Sequence, residues 1–115
     1  MARILSVSYD EPLLRSRQML LQEEGHDVVS ALGYTEAMKL CKTASGFHVF
    51  ILGHSIPKPH KEALIAEFRA RSSGPVVALT RWAEEPVHGA DFHLDPEPRK
   101  VVDLVAQITS HKKSD

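Results

Sequence analysis

Apolar and polar positions along the chain switch repeatedly between two periods. ARILSVS (2–8), HDVVSAL (26–32), FHVFIL (47–52), PVVALT (75–80) and the weaker ADFHL (90–94) are short apolar or alternating runs, and each predicts a β-strand. Between them apolar residues recur every three or four positions. Leu13, Leu14, Arg17, Leu20, Leu21 and Glu24 step at helical spacing after Asp10-Glu11-Pro12, whose proline suits a first turn, and Gly25 closes that helix. Thr35 and Glu36 lead into a second helix with Ala37, Met38, Leu40 and Cys41 on one side, ending at Ser45-Gly46. After a loop containing Pro57 and Pro59, a third helix is predicted over roughly 60–72, carrying Ala63, Leu64, Ile65, Ala66 and Phe68 and stopped by Gly74-Pro75. Val101, Val102, Leu104, Val105 and Ile108 mark a closing helix over 98–112.

Short strands alternating with helices form right-handed βαβ units and a parallel sheet. Five strands and about five helices in 115 residues predict a flavodoxin-like, doubly wound five-stranded sheet with helices on both faces. That length holds one domain, read as 1–110, with a polar tail over 111–115. In such folds ligands bind outside the carboxyl ends of the strands. Those ends are Ser8-Tyr9-Asp10, Gly53-His54, Thr80-Arg81 and Leu94-Asp95.

Charge and composition narrow the function classes. Fourteen basic and fifteen acidic residues leave a formal net charge of −1, which supplies no electrostatic drive toward nucleic acid or an anionic membrane. The single cysteine, Cys41, excludes an intramolecular disulfide and a multi-cysteine zinc site, and is expected to be a buried small hydrophobe. No signal-peptide pattern appears, and no apolar run approaches the ~18 residues of a membrane span, so a cytoplasmic location is expected. Seven histidines invite a metal site. His54 and His60 flank a double-proline loop, however, and their spacing matches no ligand pattern. No nucleophile–base arrangement, phosphate-cradling glycine loop or paired catalytic carboxylate is present, so neither an enzyme nor a cofactor is expected.

Several of these segments together resemble the receiver domain of bacterial two-component response regulators, over about residues 2–110. RILSVSYDEPLLRSRQMLLQEEGHDVVSA is similar to the receiver opening, where an acidic pair precedes Glu-Pro, a leucine-rich helix and a second strand. FHVFILGHSIP resembles the third strand and its proline loop, GPVVALT the fourth strand ending in threonine, and GADFHL the entry to the fifth. The resemblance implies an aspartate at the end of the third strand, phosphorylated by a partner histidine kinase, with Mg²⁺ held by the acidic pair.

The chain departs from that pattern at the implied site. Gly53 stands at the phosphoacceptor position and has no nucleophile. The acidic pair corresponds to Tyr9 and Asp10, and one carboxylate with water holds Mg²⁺ poorly. Thr80 retains the phosphoryl-binding hydroxyl. HLDPEP offers Asp95 and Pro96 where a Lys-Pro pair is implied, and His93 takes the place of a switch aromatic. Only the eight residues RWAEEPVH separate Thr80 from Gly89, short of the roughly 11 that three helical turns need, so the fourth helix is expected to be shortened or lost. The family's dimerisation surface uses that helix.

The expectation is therefore a vestigial phosphorylation pocket at Tyr9, Asp10, Gly53, His54, Thr80 and His93. Asp10 is read as a helix cap, with a residual metal ligand as its other role. Thr80 suits either a ligand contact or an ordinary strand end. Tyr9 either fills the emptied space or projects as a contact residue. Trp82, beside Arg81, is a candidate contact aromatic or a core tryptophan. The expected function is a stand-alone receiver-like module in phosphorelay signalling, not itself phosphorylated, that binds a histidine kinase or output protein and could form a homodimer. Its implied partner surface is the first helix, through Arg15, Gln18 and Gln22, with Trp82. Regulation at a non-standard residue and small-ligand or metal sensing in the emptied pocket are the alternatives.

Overall fold

The computed structural model describes all residues except 1, 44–45, 82–85 and 114–115, and only the backbone of 111–113. Its elements run β1 (Arg3–Ser8), α1 (Glu11–Glu23), β2 (Asp27–Leu32), α2 (Tyr34–Thr43), β3 (Val49–Leu52), α3 (Lys58–Arg69), β4 (Val76–Leu79), β5 (Phe92–Leu94) and α4 (Pro98–Lys113). All strand pairs are parallel, in the order β2-β1-β3-β4-β5. This is the flavodoxin-like arrangement the alternating pattern predicts.

Alternation within each strand builds two cores. Leu5 and Val7, Phe50 and Leu52, and Val76 and Ala78 face Ala37 and Cys41 of α2 and Leu64, Ile65 and Phe68 of α3. Ile4, Val49, Ile51, Val77 and Leu79 face Leu21 of α1 and Val101, Val102 and Val105 of α4. Cys41 is buried as expected, and burial, with Glu67 adding to it, pushes its thiol up to about 12.

Several boundaries differ from the sequence expectation. α3 begins at Lys58, so Pro59 lies in its first turn, where no intrahelical N–H is required, and the proline loop is shorter than predicted. α2 begins at Tyr34, ahead of Thr35. Phe47 is buried before β3 begins. Four helices, not five, are found among the described residues, and none joins β4 to β5.

The route into β5 is held by side chains in place of helical turns. Asp91 Oδ2 accepts from the Val76 amide at 2.7 Å and from Arg69 Nη2 at 2.6 Å. Arg69 also donates to the carbonyls of Gly74 and Gly89. Gly89 turns the chain at φ +93, and a Cβ there would meet Ile65 Cγ2 at 3.0 Å. Val87 tucks into the α2–α3 core, and its amide donates to His93 Nε2 at 2.8 Å.

At the opposite end of the sheet, the Ala2 amide donates to Nδ1 of His26 at 3.1 Å. That bond requires an unprotonated Nδ1. Burial lowers the His26 pKa, the chain's amino group lowers it further, and Glu24 partly opposes both. The unfolded chain therefore binds the proton more readily, and stability should fall as pH drops through about 6.5, the ordinary histidine value. Urea midpoints measured between about pH 8 and about pH 5 should show this loss, and His26→Asn should flatten it. An unchanged slope in the variant would remove His26 as the source.

Candidate functional site

The carboxyl ends of β1, β3 and β4 form the candidate site. Register places Ser6 beside Ile51 and Val7 beside Leu52, so Gly53 follows directly next to Ser8. Leu52 pairs with Ala78, which sets Thr80 one step beyond Gly53 on the adjacent strand.

Asp10 is the N-cap of α1: its Oδ1 accepts from the Leu13 amide at 3.2 Å, and its own amide donates to Ser8 Oγ at 3.0 Å. The capping role read from Asp-Glu-Pro is the one with a bond behind it. Tyr9 turns toward α3, packs against the α2–α3 core, and its hydroxyl bonds Nδ1 of His60 at 2.8 Å. His60 also packs on the Tyr34 ring, with centroids 4.4 Å apart. Burial, reinforced by Tyr34, raises the Tyr9 hydroxyl pKa, so it stays a neutral phenol.

Gly53 is buried, and its amide donates to the Val7 carbonyl at 2.8 Å. It does not have a left-handed φ, so conformation does not require glycine here. Space does. A Cβ on Gly53 would meet the Val7 carbonyl oxygen at 3.1 Å, Arg17 Nη2 at 3.2 Å and Ser8 Oγ at 3.3 Å. The room beside the missing side chain is taken up by backbone, a hydroxyl and a guanidinium.

Arg17 is the residue the sequence reading passed over. It lies on α1 at 7% exposure, and Nη1 donates to Ser6 Oγ at 2.8 Å and more distantly to the Val7 carbonyl at 3.4 Å. Burial pulls its pKa down to about 10, which still leaves it charged at neutral pH. A second buried cation, Lys61 of α3 at 3% exposure, donates from Nζ to the Leu79 carbonyl at the end of β4. Both occupy apolar-stripe positions, Leu14-Arg17-Leu21 and Lys61-Leu64-Ile65-Phe68. A cation within a buried stripe was the available signal.

Beyond these, the Thr80 amide donates to the Leu94 carbonyl and fastens β4 to β5. His54 Nε2 and Arg81 Nη2 approach to 3.2 Å across the mouth. His93 is drawn away into its bond with Val87. His26, His48 and His93 each accept a backbone amide and so are used within the fold. Among the described residues no three histidine, cysteine, aspartate or glutamate side chains converge as metal ligands would. Trp82 lies outside the described residues. On α1, Arg15 is exposed and pairs with Glu11, Gln22 is exposed, and Gln18 accepts from the Ser30 hydroxyl at 2.7 Å.

Solved structures with this architecture settle its class. A two-component response regulator from Clostridium difficile superposes with a TM-score of 0.82 at 18% identity, covering 99% of this chain and 100% of that one. A Francisella response-regulator receiver domain gives 0.80 at 18% identity, covering 98% and 100%. The fold is the receiver fold. The response regulator TrrA from Thermotoga maritima, solved in complex with Mg(2+)-BeF, gives 0.78 at 21% identity, covering 94% and 99%. No protein-family model and no curated protein sequence matches the chain. No helix among the described residues is long and apolar enough to cross a membrane. At the end of β3 this chain carries a glycine packed against a buried guanidinium.

Proposed function

We propose that this chain is a response-regulator-like signalling module that carries out no phosphoryl transfer and acts by binding a protein partner of a two-component pathway, a histidine kinase or an output protein, in the cytoplasm. One observation carries this reading. Where a phosphoacceptor carboxylate would stand, Gly53 supplies only backbone, and the guanidinium of Arg17 lies 3.2 Å from the point its side chain would start. A fixed cation at that point repels Mg²⁺, and Asp10 already spends a carboxylate oxygen on the α1 cap. The Thermotoga relative was solved with a metal and a phosphoryl mimic. This chain's own residues supply neither the nucleophile nor the acidic pair for such a ligand.

The contact surface in this reading is the outer side of α1. Met19 stands 56% exposed there, on the same side as Arg15 and Gln22. Met19 also lines a groove of about 490 Å³ with Gln18, Ser30 and Leu32 between α1 and the free edge of β2. Mixed apolar and polar side chains on a rigid helix suit a protein partner.

The test is incubation with acetyl phosphate and MgCl₂ followed by intact mass. The protein should remain unmodified, and MgCl₂ alone should leave the amide resonances of Ser8, Gly53 and Thr80 in place. A phosphoryl adduct on any residue, or saturable Mg²⁺ shifts at those amides, would overturn the reading.

A further inference from the structure

Arg17 poses a question the signalling role does not answer. A guanidinium this deeply buried is normally matched by a carboxylate, because taking an unpaired charge out of water costs several kcal/mol even after relaxation. Arg17 has no acidic partner among the described residues. Its hydrogen bonds to the described residues all leave from Nη1, to the neutral oxygens of Ser6 and Val7. Among the described residues Nη2 has no hydrogen-bond partner, and no fully buried polar side-chain atom there lacks one. Nη2 is therefore not wholly sealed in and keeps some exposed surface, next to the position a Cβ on Gly53 would take. The fold thus holds a charged donor edge at the mouth of a parallel sheet, and Gly53 places no side chain of its own in front of it. Its lowered pKa of about 10 keeps it a cation throughout the neutral range.

We propose that this mouth is a binding site for a small oxyanion, with the Arg17 guanidinium as the recognising group and Ser6 and Val7 as the supports that hold it in place. The fork of N–H donors matches the oxygen spacing of phosphate and carboxylate groups, and binding in a desolvated site makes each charge-assisted bond stronger than it is in water. Inorganic phosphate, or a phosphate or carboxylate group on a small metabolite, shares this chemistry. The anion would offset the burial cost that Arg17 now carries alone. Such a site is independent of the partner-binding role, since a signalling module without it would still dock through α1.

The test uses the full chain and inorganic phosphate, titrated at constant ionic strength against chloride and followed by amide and arginine Nε–H resonances. Saturable shifts are expected at Ser8, Gly53 and the Arg17 side chain, with a dissociation constant on the order of 1 mM for one such site. Sulfate and acetate arms separate the sources: competition by sulfate alone assigns a tetrahedral oxyanion, and equal binding of acetate assigns a carboxylate. In the paired variant Ser6→Ala with Arg17→Met the shifts should vanish, while the thermal midpoint without phosphate should rise, because an unpaired buried charge has been replaced by apolar volume. Arg17→Lys keeps the charge but loses the fork, and should weaken binding about tenfold. Shifts that grow linearly without saturating, or saturable shifts that survive in the paired variant, would overturn the site. Should the paired variant fail to fold, unchanged affinity in Arg17→Lys would overturn it equally. None of these outcomes bears on the acetyl-phosphate result, which tests covalent modification alone.

Discussion

Gly53→Asp should yield a folded protein that still takes no phosphoryl group from acetyl phosphate. The substitution restores a carboxylate at the end of β3, but its Cβ must displace the Val7 carbonyl oxygen, Arg17 Nη2 and Ser8 Oγ by a few tenths of an ångström. The new carboxylate then lies within reach of a buried guanidinium that has no other acidic partner among the described residues. The two should form an ion pair that holds the carboxylate as a structural anion and leaves it a poorer nucleophile. Tyr9 supplies no second acid, since its hydroxyl is committed to His60. Phosphoryl transfer rests on positioning and charge neutralisation, and each absent electrostatic partner typically costs about 10²–10³ in rate. Two absent partners take the reaction below detection. Sequence alone indicates that Tyr9→Asp, Gly53→Asp and a lysine at 95 or 96 would be the smallest responsive set. The position of Arg17 adds a fourth change, Arg17→Ala, to free the carboxylate and admit a metal ion. Intact mass after acetyl-phosphate treatment compares the single and the combined variant. A phosphoryl adduct on the Gly53→Asp protein alone would show that the guanidinium is no barrier.

Phe50→Ala should cost the most stability of any single truncation in the sheet, about 3–5 kcal/mol. Phe50 is fully buried in β3, paired with Leu5 on one side and Val76 on the other. Its ring stacks on Phe68 of α3 with centroids 4.4 Å apart, so truncation removes both packing volume and an aromatic pair. The loss is a large share of the roughly 5–15 kcal/mol that a domain possesses. Urea unfolding measures it, through a lower midpoint at unchanged slope. A loss under about 1 kcal/mol would mean that the α3 side of the core collapses into the cavity and that Phe50 does not anchor it.

The parallel sheet and its helices were legible in the chain because each element announces itself locally. Strand runs such as VFIL and VVAL are apolar at every position because both faces are covered, and the helices show their buried side at three- and four-residue steps. The short segment after Thr80 could be read by counting, because a helix needs a minimum length of chain. The capping role of Asp10 was legible for the same reason, as its bond reaches only three residues ahead. The composition of the mouth was not. Arg17 and Lys61 fall within the apolar stripes of their helices, but only packing shows what they reach, Ser6 and the Leu79 carbonyl. In the sequence Gly53 reads as a missing side chain and an empty pocket. In three dimensions the same glycine is the residue that lets α1 bring a guanidinium to the end of β3, and that contact joins positions 36 residues apart, as 53 − 17 = 36. Periodicity records which way a residue faces within its own element. Which residue from another element fills the space opposite is set by how helices dock across the sheet, and that information exists only in the folded chain.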